Sequence, residues 1–316
     1  MVRSAEEPTP LPEGLMEVMQ QQADLVNAGS IAEAEGLSSE LLAQLCHYAE
    51  ESLADDPELQ EELVLQAHAE AGDWEQVQRM HEARLDRRTE PLPYGTACSH
   101  LAHFLTLMDR WDEAAPVAAL ATQAARQDDL PLLLGMRLEA QGAIANGCGE
   151  HRLALSLFEE GLRNLEIKSS HDLIRARLLI GRARSHLRLG NLADSEADLS
   201  EAWKLLQPLS AMTSAGGVKG AFADWWSVQA DRCEREAHWQ SVHEARSEAV
   251  RCCREVLQLA ETQQIYPLYH ALIPLARELC QLAQTLARLG QTAAAEEVRD
   301  EAQEIRRQVH LPALPE

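Results

Sequence analysis

Residues 149–161 read GEHRLALSLFEEG, and residues 190–202 read GNLADSEADLSEA. In both stretches a glycine is followed by small or apolar residues five, nine and twelve positions later. These spacings place the three residues on one face of an α-helix. The glycine itself can adopt the positive φ that ends a preceding helix. Each stretch therefore predicts a turn followed by an amphipathic helix.

The turn recurs along the chain, at Gly72, Asp109, Ala237 and Gly290, with a weaker copy at Gly29. A small or apolar residue lies seven positions before each of the six clear turn residues: Leu65, Ala102, Gly142, Ala183, Ala230 and Ala283. Such a residue lets a second helix approach the first closely. A single helix pair cannot bury its apolar face alone, so the recurrence predicts units stacked into an α-solenoid. The functional question then concerns a binding surface rather than a catalytic pocket.

This pattern of small residues and turns resembles the tetratricopeptide repeat (TPR) family. Successive turns lie 37, 40, 41, 47 and 53 residues apart, whereas the family repeat is about 34 residues. The resemblance is therefore to a long-repeat form of about 40 residues. The resemblance implies an all-α, right-handed solenoid of about seven helix-turn-helix units. We place the units near 14–53, 57–88, 94–127, 130–167, 171–207, 219–262 and 266–309. A disordered acidic, proline-containing tail is predicted at 1–13 and a second tail at 310–316.

Two segments depart from the repeat. Unit six is the most degenerate, with Ala237 at its turn and Arg246 nine positions later. Residues 208–220, PLSAMTSAGGVKG, show no helical periodicity and are predicted to form one extended loop. We interpret the glycines at 216–220 as a flexible linker, because they lack the spacing of a phosphate-binding loop.

Charge and composition exclude some partners. The net charge is -23, and residues 1–78 hold 18 acidic residues against one basic residue. Duplex nucleic acid is therefore not an expected partner, whereas a basic protein surface would suit the acidic first quarter.

Seven cysteines without a disulfide framework indicate a reducing, cytoplasmic compartment. No apolar run has the length of a membrane span, so we predict no association with membranes.

The sequence contains no recognisable catalytic motif, so we predict neither an enzyme nor a cofactor. His100 and His103 have metal-ligand spacing, but no third ligand is identifiable, and no metal site is predicted. The adjacent Cys252 and Cys253 are interpreted as residues that fill the core.

The TPR resemblance implies that the first helix of each unit lines a concave groove. Counting from the small residue of each unit, we predict these groove residues: His103, Glu139, Asn146, Arg177, Arg184, Arg188, Asp231, Arg277 and Arg288. The first helix of unit five stands out, because residues 174–189 carry five arginines and no acid. Two interpretations remain open. Acids of neighbouring units (Glu139, Asp224 and Asp231) neutralise the arginines, or the arginines bind a carboxylate terminus, an acidic peptide or a phosphate.

Trp225 and Trp226 open unit six and diverge by about 100° if helical. Either both are buried, or one is exposed as a binding anchor.

The leading functional hypothesis is a protein-interaction module (adaptor, scaffold or co-chaperone-like) that binds a peptide or protein segment in the groove. The alternative is a regulatory sensor whose groove binds a small peptide or metabolite and controls a separate effector. A homo-oligomer formed through the terminal units is also left open.

Overall fold

The computed structural model describes residues 61, 64–65, 68–69, 72–88, 91–127, 130–165, 171–210, 216–263 and 268–311. The predicted unit at 14–53, the tail at 1–13 and residues 312–316 lie outside the described residues. Most of the acidic first quarter therefore also lies outside them.

The described residues form helices and no strands, which confirms the all-α class. They include eleven complete helices: α1 (Trp74–Arg87), α2 (Pro91–Leu107), α3 (Trp111–Ala125), α4 (Pro131–Gly147), α5 (His151–Asn164), α6 (Asp172–Arg188), α7 (Leu192–Leu209), α8 (Gly216–Arg235), α9 (Trp239–Gln263), α10 (Tyr269–Arg288) and α11 (Thr292–Gln308). From α2 onward they form five consecutive pairs, and a predicted turn joins the two helices of each pair.

The chain divides into two compact units, Met1–Val77 and Gln78–Glu316. In the first, the described helical residues Leu65 and Ala69 are buried, as is Val77 near the start of α1. The second contains the five helix pairs; the two helices of each pair pack on each other, and successive pairs are in contact.

All six predicted turn residues have a positive φ: Gly72 at 71°, Asp109 at 59°, Gly149 at 80°, Gly190 at 86°, Ala237 at 56° and Gly290 at 76°. The backbone there closes with two hydrogen bonds. At Gly190, its N–H donates to the Leu187 carbonyl at 3.2 Å, and the Asn191 N–H donates to the His186 carbonyl at 2.8 Å. The same pair of bonds occurs at the other five turns. These bonds satisfy carbonyls at the end of each first helix and direct the chain into the second.

Close packing explains the small residues of the first helices. Phe158 of α5 is completely buried against Gly142 of α4 and Gly181 of α6. A Cβ atom at Gly142 would lie 2.6 Å from the phenyl ring, and one at Gly181 would lie 2.4 Å from it. Because neither distance is physically tolerable, glycine at these two positions makes room for the ring.

The structure corrects the prediction of an extended loop at 208–220. Helix α7 continues through Pro208 to Leu209, and α8 begins at Gly216, so only residues 211–215 lie outside the description. Burial explains the early start of α8, because Val218, Ala221 and Phe222 all enter the core. The apolar face gained there outweighs the low helix propensity of the glycines. Cys252 and Cys253 are both buried, which confirms their interpretation as core residues.

Ala237 provides a test of the turn. A left-handed conformation costs a residue other than glycine roughly 1 kcal/mol, and Ala237 has a φ of 56°. We expect Ala237→Gly to raise the free energy of unfolding by about 0.5–1 kcal/mol, measured by thermal or urea unfolding followed by circular dichroism.

The matched control is Ala119→Gly, at an exposed position in the middle of α3. There glycine should lower the free energy of unfolding by about 1 kcal/mol. The role assigned to the turn is wrong if both substitutions destabilise the protein equally.

Candidate functional site

A cavity of about 410 Å³ lies among the first helices of the pairs in the second compact unit. Helices α2, α4, α6 and α8 contribute to its wall, together with two alanines of α3. Ile144, Ile174 and Ile180 form part of an apolar side, and charged or polar side chains form the remainder. Its volume falls within the roughly 300–1,000 Å³ typical of ligand sites.

The repeat register places five predicted groove residues in the wall of this cavity: His103, Glu139, Asn146, Arg177 and Arg184. The side chain of Asn146 is fixed by its neighbours. Its amide nitrogen donates to the Gly181 carbonyl at 3.3 Å, and its oxygen accepts from Ser185 Oγ at 3.1 Å. The other four predicted groove residues, Arg188, Asp231, Arg277 and Arg288, lie outside the lining and take part in ion pairs.

Three of the arginines on α6 are paired with acids. Arg177 Nη2 lies 3.3 Å from Glu139 Oε1. Arg182 makes two bonds to the Asp198 carboxylate, at 2.5 and 2.8 Å. Arg188 Nη2 lies 3.4 Å from Asp231 Oδ2. Internal neutralisation therefore accounts for these three side chains. The negative charge of Glu139, with a smaller contribution from Asp224, also raises the pKa of Arg177.

Arg184 differs from these three arginines. Its half-buried side chain lines the cavity and makes no hydrogen bond or ion pair in the part of the chain that the structure describes. It still lies close enough to the buried Glu278 to favour the ionised form of that carboxyl. A guanidinium that faces a cavity without an acceptor is suited to bind a carboxylate or phosphate.

Arg137 of α4 also lines the cavity, although the repeat register did not select it. Its guanidinium donates to Ser99 Oγ and, at 3.5 Å, to Thr96 Oγ1. Both acceptors are neutral hydroxyls, and Arg137 forms no ion pair with any acid that the structure describes. Burial lowers the pKa of Arg137. The signal that could have identified it is composition, because Arg137 and Glu139 are the two charged residues of α4.

Arg246 explains why unit six departs from the repeat. It takes the position that Phe158 holds in unit four, and its side chain is only 4% exposed. It donates to Ser227 Oγ at 2.9 Å, to Glu278 Oε2 at 3.4 Å and to Asp231 Oδ1. A buried guanidinium is tolerated where several acceptors surround it. Burial raises the pKa of Glu278 above its ordinary value.

The last helix pair contacts the end of α2 through two side chains of α10. His270 Nδ1 lies 2.9 Å from His103 Nε2, with the two rings stacked at 4.9 Å. Arg277 Nη2 donates to the carbonyls of Thr106 and Leu107, at 2.9 and 3.0 Å, and to Asp109 Oδ1 at 2.7 Å. We call these two sets of bonds the clasp. Since His103 also lines the cavity, the clasp borders the cavity.

The imidazoles at the clasp resist protonation. Burial, followed by nearby positive charges and histidines, lowers the pKa of His103 to about 4 and that of His270 to about 3. His81 is buried beside the ring of Phe104, and burial lowers its pKa to about 3. At neutral pH these three histidines are therefore uncharged. The positive charge near the cavity comes from the arginines.

Trp225 and Trp226 are both half-buried, in an aromatic cluster with Trp203. The indole N–H of Trp225 donates to the Leu199 carbonyl at 2.8 Å, which ties α8 to α7. Neither tryptophan lines the cavity, and their proposed role as a binding anchor stays a prediction.

Across the described ranges, no group of three or more histidine, cysteine, aspartate or glutamate side chains is placed to hold a metal ion. None of the helices in these ranges is long and apolar enough to cross a membrane.

The consecutive helix pairs and their left-handed turns define an all-α helical-repeat protein. No family model matches the chain, and no curated protein matches its sequence. Among solved structures, BtubC (BKLC) from P. vanneervenii is similar with 16% identity and a TM-score of 0.46, over 77% of this chain and 95% of that one.

Two further solved structures match over a smaller share of their own length. Cut9 with Hcn1, an APC/C hetero-tetramer, has 12% identity and a TM-score of 0.40, over 86% of this chain and 51% of the other. A monomeric mutant of IFIT1 with Gppp-AAAA has 13% identity and a TM-score of 0.41, over 93% of this chain and 60% of the other. Such distant similarity assigns no function, and the fold rests on the helices and turns described above.

The clasp predicts a loss of stability in acid. The unfolded chain takes up protons on histidine as the pH falls below about 6.5, whereas folded His103 and His270 do so only near pH 4 and 3. Protonation therefore favours the unfolded chain, and the stability present above pH 6.5 is lost progressively toward pH 4. We expect the unfolding midpoint to fall across this window.

The double variant His103→Gln/His270→Gln should show a smaller acid-dependent decrease, because glutamine does not titrate. His238→Gln, at an exposed position, serves as the control and should follow the unaltered protein. Equal acid sensitivity of the double variant and the unaltered protein would show that the clasp histidines do not carry the effect.

Proposed function

We propose that this chain is a protein-interaction module related to the long-repeat TPR proteins, and that it binds a short acidic peptide or an acidic segment of a protein in its inner cavity. The observation that supports this proposal is Arg184, whose guanidinium lines the cavity without an acceptor in the described part of the chain. Arg137 adds a second guanidinium, bonded to hydroxyls alone.

The chemistry of the two arginines favours an anionic ligand. A charge in a partly desolvated wall is costly without a partner, and a carboxylate would form charge-assisted, bidentate bonds to it. Three of the lining residues are arginines and two are acids, which leaves an excess of one positive charge among these groups. An adaptor, scaffold or co-chaperone role in the cytoplasm, without catalysis by this chain, agrees with such a module.

The clasp favours a second candidate function, a sensor that binds a small peptide or metabolite. Bonds between α10 and the end of α2 border the cavity, so a ligand of limited size fits better there than a long chain passing through. A ligand that holds or breaks the clasp would shift the arrangement of the helix pairs and so control a separate effector.

The binding proposal is tested with labelled acidic hexapeptides, by fluorescence anisotropy at low ionic strength. We expect Arg184→Ala to weaken binding at least tenfold, because it removes the guanidinium that forms no hydrogen bond or ion pair among the described residues. Arg152→Ala, at an exposed position on α5, is the matched control and should bind normally.

Two results would contradict the proposal. One is that no acidic peptide binds more tightly than an uncharged peptide of the same length. The other is that peptides bind but Arg184→Ala retains full affinity while its circular dichroism spectrum is unchanged.

A further inference from the structure

Asp224 of α8 is the acidic counterpart of Arg184. Its exposed carboxylate lines the same cavity and makes no hydrogen bond or ion pair within the described ranges. The other acid of the lining, Glu139, is already bound to Arg177. Among the described residues, the cavity wall therefore holds one guanidinium (Arg184) and one carboxylate (Asp224) that form no hydrogen bond or ion pair, although Asp224 lies close enough to Arg177 to help raise its pKa.

These two opposite charges share a cavity but do not pair with each other. Both lie close enough to Glu278 to affect its pKa: Arg184 lowers that pKa, and Asp224 raises it. Two mobile side chains of opposite charge would usually gain from meeting in a partly desolvated site. Because they form no hydrogen bond or ion pair with each other in the described ranges, both charges are available to a charged ligand.

The tryptophan cluster explains what fixes Asp224. The residue after it, Trp225, donates its indole N–H to the Leu199 carbonyl and packs 4.6 Å from Trp203, between ring centroids. Trp226 packs against both rings, at 4.8 Å from Trp225 and 5.8 Å from Trp203. This part of α8 is thus anchored to α7, so Asp224 is presented to the cavity from a rigid element.

We propose that the cavity binds a short acidic peptide with both ends free, whose ammonium group pairs with Asp224 and whose carboxylates pair with Arg184 and Arg137. This inference rests on the proposed function and specifies its ligand. A peptide with a free amino terminus, a free carboxyl terminus and one acidic side chain carries one net negative charge. That charge offsets the excess positive charge of the lining arginines over the lining acids.

The size of the cavity agrees with this ligand. About 410 Å³ admits a peptide of a few residues and not a folded segment. The apolar side formed by Ile144, Ile174 and Ile180 would contact its small or apolar side chains. Recognition of both ends would select a free peptide over the end of a long chain, because only the free peptide places an ammonium and a carboxylate within one cavity.

Isothermal titration calorimetry of the full chain with tripeptides tests the inference. The probes are Ala-Ala-Glu and Ala-Glu-Ala in four forms: free, acetylated at the amino end, amidated at the carboxyl end, and joined to the end of a longer neutral peptide. We expect acetylation to weaken binding at least tenfold. Asp224→Asn should weaken binding of the free tripeptide by a similar factor and leave binding of the acetylated one unchanged. Asp300→Asn, an exposed position on α11, is the control.

The outcomes separate the two proposals. If acetylated and extended peptides bind as tightly as the free tripeptide, and Arg184→Ala still weakens binding at least tenfold, the two-ended ligand is wrong while the acidic-segment function stands. If no tripeptide binds but the acidic hexapeptides do, the two-ended ligand is also wrong, and the acidic-segment function again stands. If neither class of peptide binds, both proposals fall. Because acetylation alters only the ligand, the first result does not depend on how well a variant folds.

Discussion

The left-handed turn between the two helices of each pair is the constraint on which the rest of this structure depends. Each turn residue has a positive φ, and two backbone hydrogen bonds close the end of the first helix. This geometry sets where the second helix begins and which face it buries. Because the turn recurs in each pair, equivalent positions of α2, α4, α6 and α8 contribute to one cavity.

Charges inside the array are compensated locally, and the exceptions are informative. Arg246 takes a core position because Ser227, Asp231 and Glu278 supply three acceptors. On α6, Arg177, Arg182 and Arg188 each have an acid of a neighbouring helix. Among the described residues Arg184 forms no ion pair, although it lies between Arg182 and Arg188 on the same helix. This difference is a property of the three-dimensional arrangement, because it depends on which side chains of other helices lie opposite each arginine.

The clasp gives the cavity a property that a single repeat does not contain. His103 and His270 are separated by 167 residues, yet their ring nitrogens lie 2.9 Å apart. Arg277 donates hydrogen bonds to the carbonyls of Thr106 and Leu107 at the end of α2, where the helix dipole favours a cation. These bonds border the cavity from one side, and they depend on the protonation state of His103 and His270.

The sequence by itself determined the repeat, the six turn residues and the inward positions His103, Glu139, Asn146, Arg177 and Arg184, because these depend on local backbone geometry and on helical periodicity. It failed at 208–220, where burial of Val218, Ala221 and Phe222 overrides local propensity. Only the tertiary structure decided which arginines are paired, brought Arg137 into the cavity, and joined α10 to α2. Those features depend on distances between residues of different repeats, and a periodic pattern does not specify such distances.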